Sequence, residues 1–286
     1  IAKRNPDIDE LIVYDSMSKF SLMRKIQREK FDIGISLSGT AQSSLLMLLG
    51  GIPVRIKLTR KNRPLAEWLT DWLATVREFY PHHLDLVDFY LRMLRHIGIN
   101  IKDGKKKVII LPEAETKIAD KIIGLSITAG YNKNKEWGVE KFAKLMEKIS
   151  ANYPDVKFLI VGTRGDKNKI AELRKLVKVS FTEAVDFSLE ELPALINKCA
   201  IFICGNTGTM HIADALGVPL VVINGPVDPK ELVPRQSRHI LVLPNPPVPP
   251  TIFAFKKTGS PELAKKAMEQ TSVESVFTGF ITLMNQ

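Results

Sequence analysis

Residues 206–211, Asn-Thr-Gly-Thr-Met-His, follow an apolar run (AIFICG, 200–205) and open a helix-like segment that stops at Gly217, Val218 and Pro219. A buried strand that ends in small polar residues and then turns into a helix brings unpartnered backbone N–H groups to one point. The positive end of the helix dipole lies there too, which makes a phosphate cradle that needs no metal. Thr207 and Thr209 can cap such a helix or donate to the anion. Gly208 lets a ligand approach the backbone closely. His211 falls in the first turn, within reach of the same anion. An ordinary capped helix with a surface histidine fits the spacing equally well.

Two further segments end strands in the same way. ITAGYNKNKEWGVEKFAKL (127–145) places Thr128, Ala129 and Gly130 just past a strand, Lys133 and Lys135 in the loop, and Trp137 as an anchor for the next helix. INGPVDP (223–229) is a third strand-end loop, its path set by Gly225 and Pro226. Three such loops on one sheet edge define a cleft rather than an isolated cap. His82, His83, His96 and His239 have no spaced partners, and no Ser-His-Asp set or metal-ligand spacing stands out.

These residues need strands and helices to hold them. Short apolar, β-branched runs recur at 11–14, 32–38, 54–58, 108–112, 122–128, 157–162, 177–181, 200–205, 219–224 and 239–244. Helical patterns lie between them at 140–153, 166–177, 188–199 and 208–217. Continuous apolar strands alternating with helices predict an α/β protein with doubly wound parallel sheets. The polar segment 111–121 predicts a hinge, giving an N-terminal domain at 1–112 and a C-terminal domain at 113–250. The proline-rich stretch 244–251 then leads to a helix pair at 260–286, expected to lie away from the second sheet, so that 251–286 packs back on the first domain. PLAEWLTDWLATVREFY (64–80) reads as one amphipathic helix with Leu65, Trp68, Leu69, Trp72, Leu73 and Val76 on one face. That face either packs on the core or, beside Arg55, Lys57, Arg60, Lys61 and Arg63, meets a membrane surface.

The 286 residues are 45% apolar and 25% charged, the profile of a soluble globular protein with room for a sizeable core. The net charge of +10 is uneven: residues 1–112 carry 19 Lys and Arg against 12 Asp and Glu. An anionic partner or a merely solvated basic surface explains this. No nucleic-acid-binding motif accompanies the charge, so nucleic acid is not the expected partner. Cys199 and Cys204 sit in or beside one apolar run and read as core thiols of a cytoplasmic protein.

Taken in order, KEW (135–137), NTGTMH (206–211) and GPVDP (225–229) resemble the Lys-x-Trp, D-T-G-x-x-H and G-P-T-D-P motifs of the heptosyltransferase family, glycosyltransferase family nine. NPDIDELIVYD (5–15), FDIGISLSG (31–39) and HHLDLVDFYLRMLRHIG (82–98) resemble its N-terminal domain, and AMEQTSVESVFTGF (267–280) its closing helix. The resemblance implies a GT-B fold: two Rossmann-like domains facing across a cleft, with the donor in the C-terminal one. It implies an inverting, metal-independent transfer of heptose from ADP-heptose to an anionic lipid A–core acceptor, without a cofactor. The implied location is cytoplasmic, peripheral on the inner face of the cytoplasmic membrane. By the same match, Thr207, Gly208 and His211 contact the donor diphosphate and Thr128 adds a hydroxyl. Lys135 neutralises charge on the leaving ADP. Asp166 stands where the family often has an acid for the ribose; a turn residue after Gly165 is the other reading.

Two departures qualify the match. Asn206 replaces the motif aspartate, which brings no negative charge and leaves donor selectivity open. The family's opening G-D-x-L-x-x-x-P loop, with the aspartate taken as general base, has no counterpart after Ile1. The expectation is that the first βαβ unit precedes Ile1; its loss from the protein is the other reading. A nucleotide-sugar-binding protein without turnover, or another sugar-nucleotide enzyme such as an epimerase, are the alternatives.

Overall fold

The computed structural model describes residues 5–13, 18–61, 63–102, 104–110, 121–130, 132–255 and 259–286. Two compact units divide the chain: residues 8–104, and residues 105–286 together with the segment up to Asp7. The division falls eight residues before the expected boundary at 112, so the segment from Lys105 onward joins the second unit.

The first unit is a three-stranded parallel sheet, β1 (Ile33–Ser36), β2 (Val54–Thr59) and β3 (Val76–Phe79), in that order. Helices α1 (Lys19–Glu29), α2 (Ala41–Leu49), α3 (Leu65–Leu69) and α4 (Leu86–Leu94) accompany it. Ile56, Leu58, Tyr80, Phe89 and Met93 are buried, with the Tyr80 and Phe89 rings edge to face at 4.9 Å. The single helix expected over 64–80 does not form. Five residues of α3 give way to a 3₁₀ turn at Asp71–Leu73, and Val76–Phe79 pairs with β2. Charge decides which side faces inward. Buried Lys57 lies 3.0 Å from Asp71, and Arg60 pairs with Glu67 at 3.1 Å. The acidic side of the turn is thus held in. Leu65, Trp68, Leu69 and Trp72 face out, 69%, 59%, 52% and 77% exposed, so the core-facing reading fails for these four, while Leu73 of the same expected face is buried.

The second unit is a six-stranded parallel sheet in the order β6-β5-β4-β7-β8-β9. Its strands are β4 (Ile122–Ser126), β5 (Lys157–Val161), β6 (Phe181–Ala184), β7 (Cys199–Gly205), β8 (Leu220–Ile223) and β9 (His239–Val242). This is the doubly wound order, with chain direction across the sheet reversing between β4 and β7. The central strands are buried on both faces, which is why they read as unbroken apolar runs. On one face, α5 (Val139–Asn152) and α6 (Lys167–Leu176) bury Phe142, Leu145, Ile149 and Leu173. On the other, α7 (Leu192–Asn197) and α8 (Gly208–Leu216) bury Ile196, Met210 and Ala213 against Phe202, Cys204 and Val222.

Three expectations are corrected. The helix pair α9 (Pro261–Gln270) and α10 (Val273–Met284) belongs to the second unit, not the first. Val276, Phe277, Phe280 and Leu283 complete the same core as Ile123 and Phe142, and that apolar face decides where the helix lies. No strand forms at 11–13 or 108–110, which have no ladder neighbour among the described residues; 14 and 111–112 lie outside them. The strand expected at 177–181 begins only at Phe181, because β6 is an edge strand whose Thr182 and Glu183 are exposed and break the apolar signal. The hinge at 111–121 lies outside the described residues except for Lys121.

Candidate functional site

Open α/β sheets gather ligands at the carboxyl ends of strands where their order reverses. A cavity of about 580 Å³ lies at that place, beyond β4, β5 and β7. Ser126, Thr128, Ala129 and Gly130 line it from β4, and Val161, Gly162, Thr163 and Asp166 from β5. Thr207, Gly208, Thr209, His211, Ile212 and Ala215 line it from the start of α8, with Leu189, Leu192, Lys106 and Val108 closing it. The structure therefore brings together five of the seven sequence-derived candidates: Thr128, Asp166, Thr207, Gly208 and His211. Asn206 and Lys135 stand behind the loop. The wall expected from 223–229 is supplied by the end of β5 instead.

Helix α8 meets the cavity with its N-terminus. The Thr207 side chain does not cap it; its Oγ1 pairs with Thr209 Oγ1 at 2.9 Å. A Cβ added at Gly208 would meet no protein atom, so the space before the first turn is open. The helix stops at Gly217, whose φ of 73° is the left-handed conformation that glycine takes without strain.

Asn206 is a structural tie. It is buried, and its Nδ2 donates to Asn224 Oδ1 at 3.0 Å and to the Leu232 carbonyl at 2.7 Å. Asn224 in turn donates to the Val227 carbonyl at 2.7 Å. The loop of residues 224–232 thus holds the cavity loop in place without lining the cavity.

Lys135 ends a 3₁₀ turn, Lys133–Lys135, and its Nζ donates to the Asn206 carbonyl at 3.2 Å. Burial lowers its pKa. Trp137, two residues on, fixes that turn: it is buried, donates from Nε1 to the Thr271 carbonyl at 2.7 Å, and sets its ring edge to face on Phe142 at 5.0 Å. Asp166 keeps both of its readings. Its Oδ2 accepts from the Thr163 N–H at 2.7 Å and the Thr163 hydroxyl at 2.8 Å, a capping box on the 3₁₀ turn Arg164–Asp166 that leads into α6, and the residue also lines the cavity.

His211 is half-buried, and its pKa falls to about 4, through burial first and then the positive charge of Lys106. Lys106 Nζ lies 3.1 Å from His211 Nδ1 and 2.8 Å from Asp214 Oδ2. Burial pushes the Asp214 carboxyl up, but Lys106 and the backbone N–H groups of Ser237, Gln236 and Arg235 outweigh it and hold the pKa at about 2. Sequence reasoning missed both partners. Asp214 lies three residues after His211 on α8, a same-face spacing that marks it in retrospect. Lys106 is the middle of three lysines and carries no local signal.

Cys199 and Cys204 are free and buried, as expected of core thiols; burial pushes Cys199 up to about 12 and Cys204 higher still. Among the described residues, no three His, Cys, Asp or Glu side chains gather as a metal site requires, and no helix is long and apolar enough to cross a membrane.

The chain matches the family model of glycosyltransferase family 9 (heptosyltransferase) over residues 19–250. It is 23% identical, over 79% of its length and 67% of the relative's, to the lipopolysaccharide core heptosyltransferase OpsX of Haemophilus influenzae. A family 9 glycosyltransferase structure from Veillonella parvula superposes with a TM-score of 0.77 at 21% identity, covering 99% of this chain and 84% of that one. The E. coli heptosyltransferase WaaC, solved with ADP, gives 0.65 at 14% identity over 93% of this chain and 77% of its own. These likenesses show the GT-B-type fold expected from the motifs. With the family model spanning most of the chain, the protein belongs to glycosyltransferase family 9, the heptosyltransferases.

Proposed function

We propose that this glycosyltransferase moves a heptose from ADP-heptose to a lipopolysaccharide core acceptor, with inversion at the anomeric carbon and without a metal or other cofactor. The observation that carries the reading is the convergence at the β4–β7 reversal of an uncapped helix N-terminus, the Thr207 and Thr128 hydroxyls, and His211, with Lys135 behind the same loop. Backbone N–H groups and a helix dipole aimed at one point favour an anion such as a diphosphate. WaaC binding ADP supports adenosine as its carrier.

In this reading the diphosphate sits before Gly208, where a side chain would intrude, and Asp166 meets the ribose. The acceptor oxygen attacks the anomeric carbon, its proton passes to a base, and the bond to the diphosphate breaks with the electron pair leaving on ADP. Charge then grows on the diphosphate, which the α8 N–H groups meet at the cavity and Lys135, bonded to the Asn206 carbonyl behind the same loop, neutralises in this reading. Preorganised groups of this kind contribute on the order of 3 kcal/mol to the transition state when one is removed at a time. The acceptor is a lipid at the inner face of the cytoplasmic membrane, and the enzyme is a cytoplasmic, peripheral protein there. Exposed Leu65, Trp68, Leu69 and Trp72 suit such a surface.

Calorimetric titration with ADP in EDTA, with UDP and GDP as controls, tests the reading. Selective ADP binding that is lost in Lys135→Ala and Thr207→Ala supports it. Absence of ADP binding, or preference for UDP or GDP, removes the donor assignment.

A further inference from the structure

Lys106 enters the cavity wall from the segment 104–110, where its main-chain N–H is bonded to Gln236 Oε1. Its Nζ has three partners: Asp214 Oδ2 at 2.8 Å, His211 Nδ1 at 3.1 Å and the Val233 carbonyl at 3.2 Å. Three partners match the three hydrogens of an ammonium. The Asp214 carboxylate fixes that protonation state. It is fully buried, and its oxygens accept from the backbone N–H groups of Arg235 at 2.9 Å, Gln236 at 2.8 Å and Ser237 at 3.0 Å. A buried anion so held needs a cation beside it, and Lys106 is that cation.

An ammonium donates and never accepts. Its bond to His211 therefore runs one way, into the Nδ1 lone pair. The ring must carry its hydrogen on Nε2, and it cannot take a second proton without expelling Lys106. We propose that Lys106, anchored by Asp214, is a positioning residue that locks His211 as the neutral Nε2–H tautomer, so that His211 offers the donor diphosphate a hydrogen bond rather than a charge. The charged groups that bear on the ring are Lys106, Asp214 and Lys135, and the two lysines oppose its protonation together with burial. The positive charge of the site then rests on lysines, and anion binding does not follow histidine titration. The choice of diphosphate as ligand rests on the function proposed above; the tautomer does not.

Histidine-selective ¹⁵N NMR of the whole chain tests this, with the His211 signals assigned by their loss in His211→Asn. The expected spectrum has an unprotonated Nδ1 and a protonated Nε2 from about pH 5 to pH 8, below and above the ordinary histidine midpoint. In Lys106→Met the midpoint of His211 moves up, and ADP affinity gains at least a threefold rise between pH 7.5 and 5.5 relative to wild type, whereas Lys106→Arg keeps the lock. The double variant Lys106→Met/Asp214→Asn removes both charges together and serves if the single variant does not fold. An Nδ1–H tautomer or an imidazolium at neutral pH in the wild type overturns the proposal, and so does a His211 titration that no Lys106 variant moves. The expected tautomer without ADP binding upholds the lock and overturns the nucleotide reading instead.

Discussion

The side-chain amide of Asn206 is bonded to that of Asn224 at 3.0 Å, and its other hydrogen goes to the Leu232 carbonyl at 2.7 Å. The position where the family motif has an aspartate is thus occupied by a group that must donate twice. Asn206→Asp removes both donors and sets a carboxylate against two oxygens in a buried site. We expect a loss of about 2–4 kcal/mol at pH 8, measured by urea unfolding. The cost shrinks toward pH 5, because the buried carboxyl has a raised pKa and the folded protein then takes up a proton. An Asn206→Asp protein as stable as wild type at pH 8 would contradict the structural role.

Gly208 separates fold from ligand. Its added Cβ meets nothing, so Gly208→Ala leaves the melting temperature within a few degrees of wild type and, as alanine in a helix, even slightly favours folding. If the diphosphate lies against the α8 N-terminus, ADP affinity falls about tenfold or more by calorimetry, equivalent to roughly 1.4 kcal/mol. Unchanged affinity would move the anion elsewhere.

His211 gives the protein an acid limit. Its folded pKa of about 4 lies below the unfolded value of 6.5, so between these values the unfolded chain binds more protons. Stability therefore rises with pH across that window and is lost as pH falls through it, by on the order of 3 kcal/mol in total. In His211→Asn, the slope of unfolding free energy against pH from 4 to 6.5 becomes shallower by up to one proton. Identical slopes would show that the ring titrates alike in both states.

Lys135 is the charge proposed for the leaving group. Lys135→Ala is expected to lower kcat about 100-fold with a smaller effect on KM for the donor, since its interaction strengthens as negative charge develops. A change confined to KM would make it a ground-state contact only.

The outward tryptophans predict surface binding. Trp68→Ala/Trp72→Ala changes two exposed residues, so the fold is retained. Partition onto anionic phospholipid vesicles, read by sedimentation, should drop at least tenfold if each buried ring contributes about 1 kcal/mol. Equal sedimentation of variant and wild type would assign the patch to something other than lipid.

Much of this molecule is legible in its sequence, and for a local reason. The strands of the second sheet are buried on both faces, so Ile122–Ser126, Lys157–Val161 and Cys199–Gly205 announce themselves as apolar runs. The loops that follow them carry their chemistry in consecutive residues, which is why Thr128, Thr207, Gly208 and His211 could be picked out; Asp166 came from the family resemblance, and all five meet at one cavity. Tertiary structure alone decided what depends on distant partners. The apolar stripe from Leu65 to Trp72 fits a core helix by periodicity, yet Lys57 and Arg60 draw Glu67 and Asp71 inward and leave the tryptophans outside. The closing helix finds its place through the fit of Phe277 and Phe280 to a core more than a hundred residues earlier in the chain. Lys106 reaches His211 and Asp214 across as many residues, and only the folded chain sets an ammonium in a lysine run against one imidazole nitrogen.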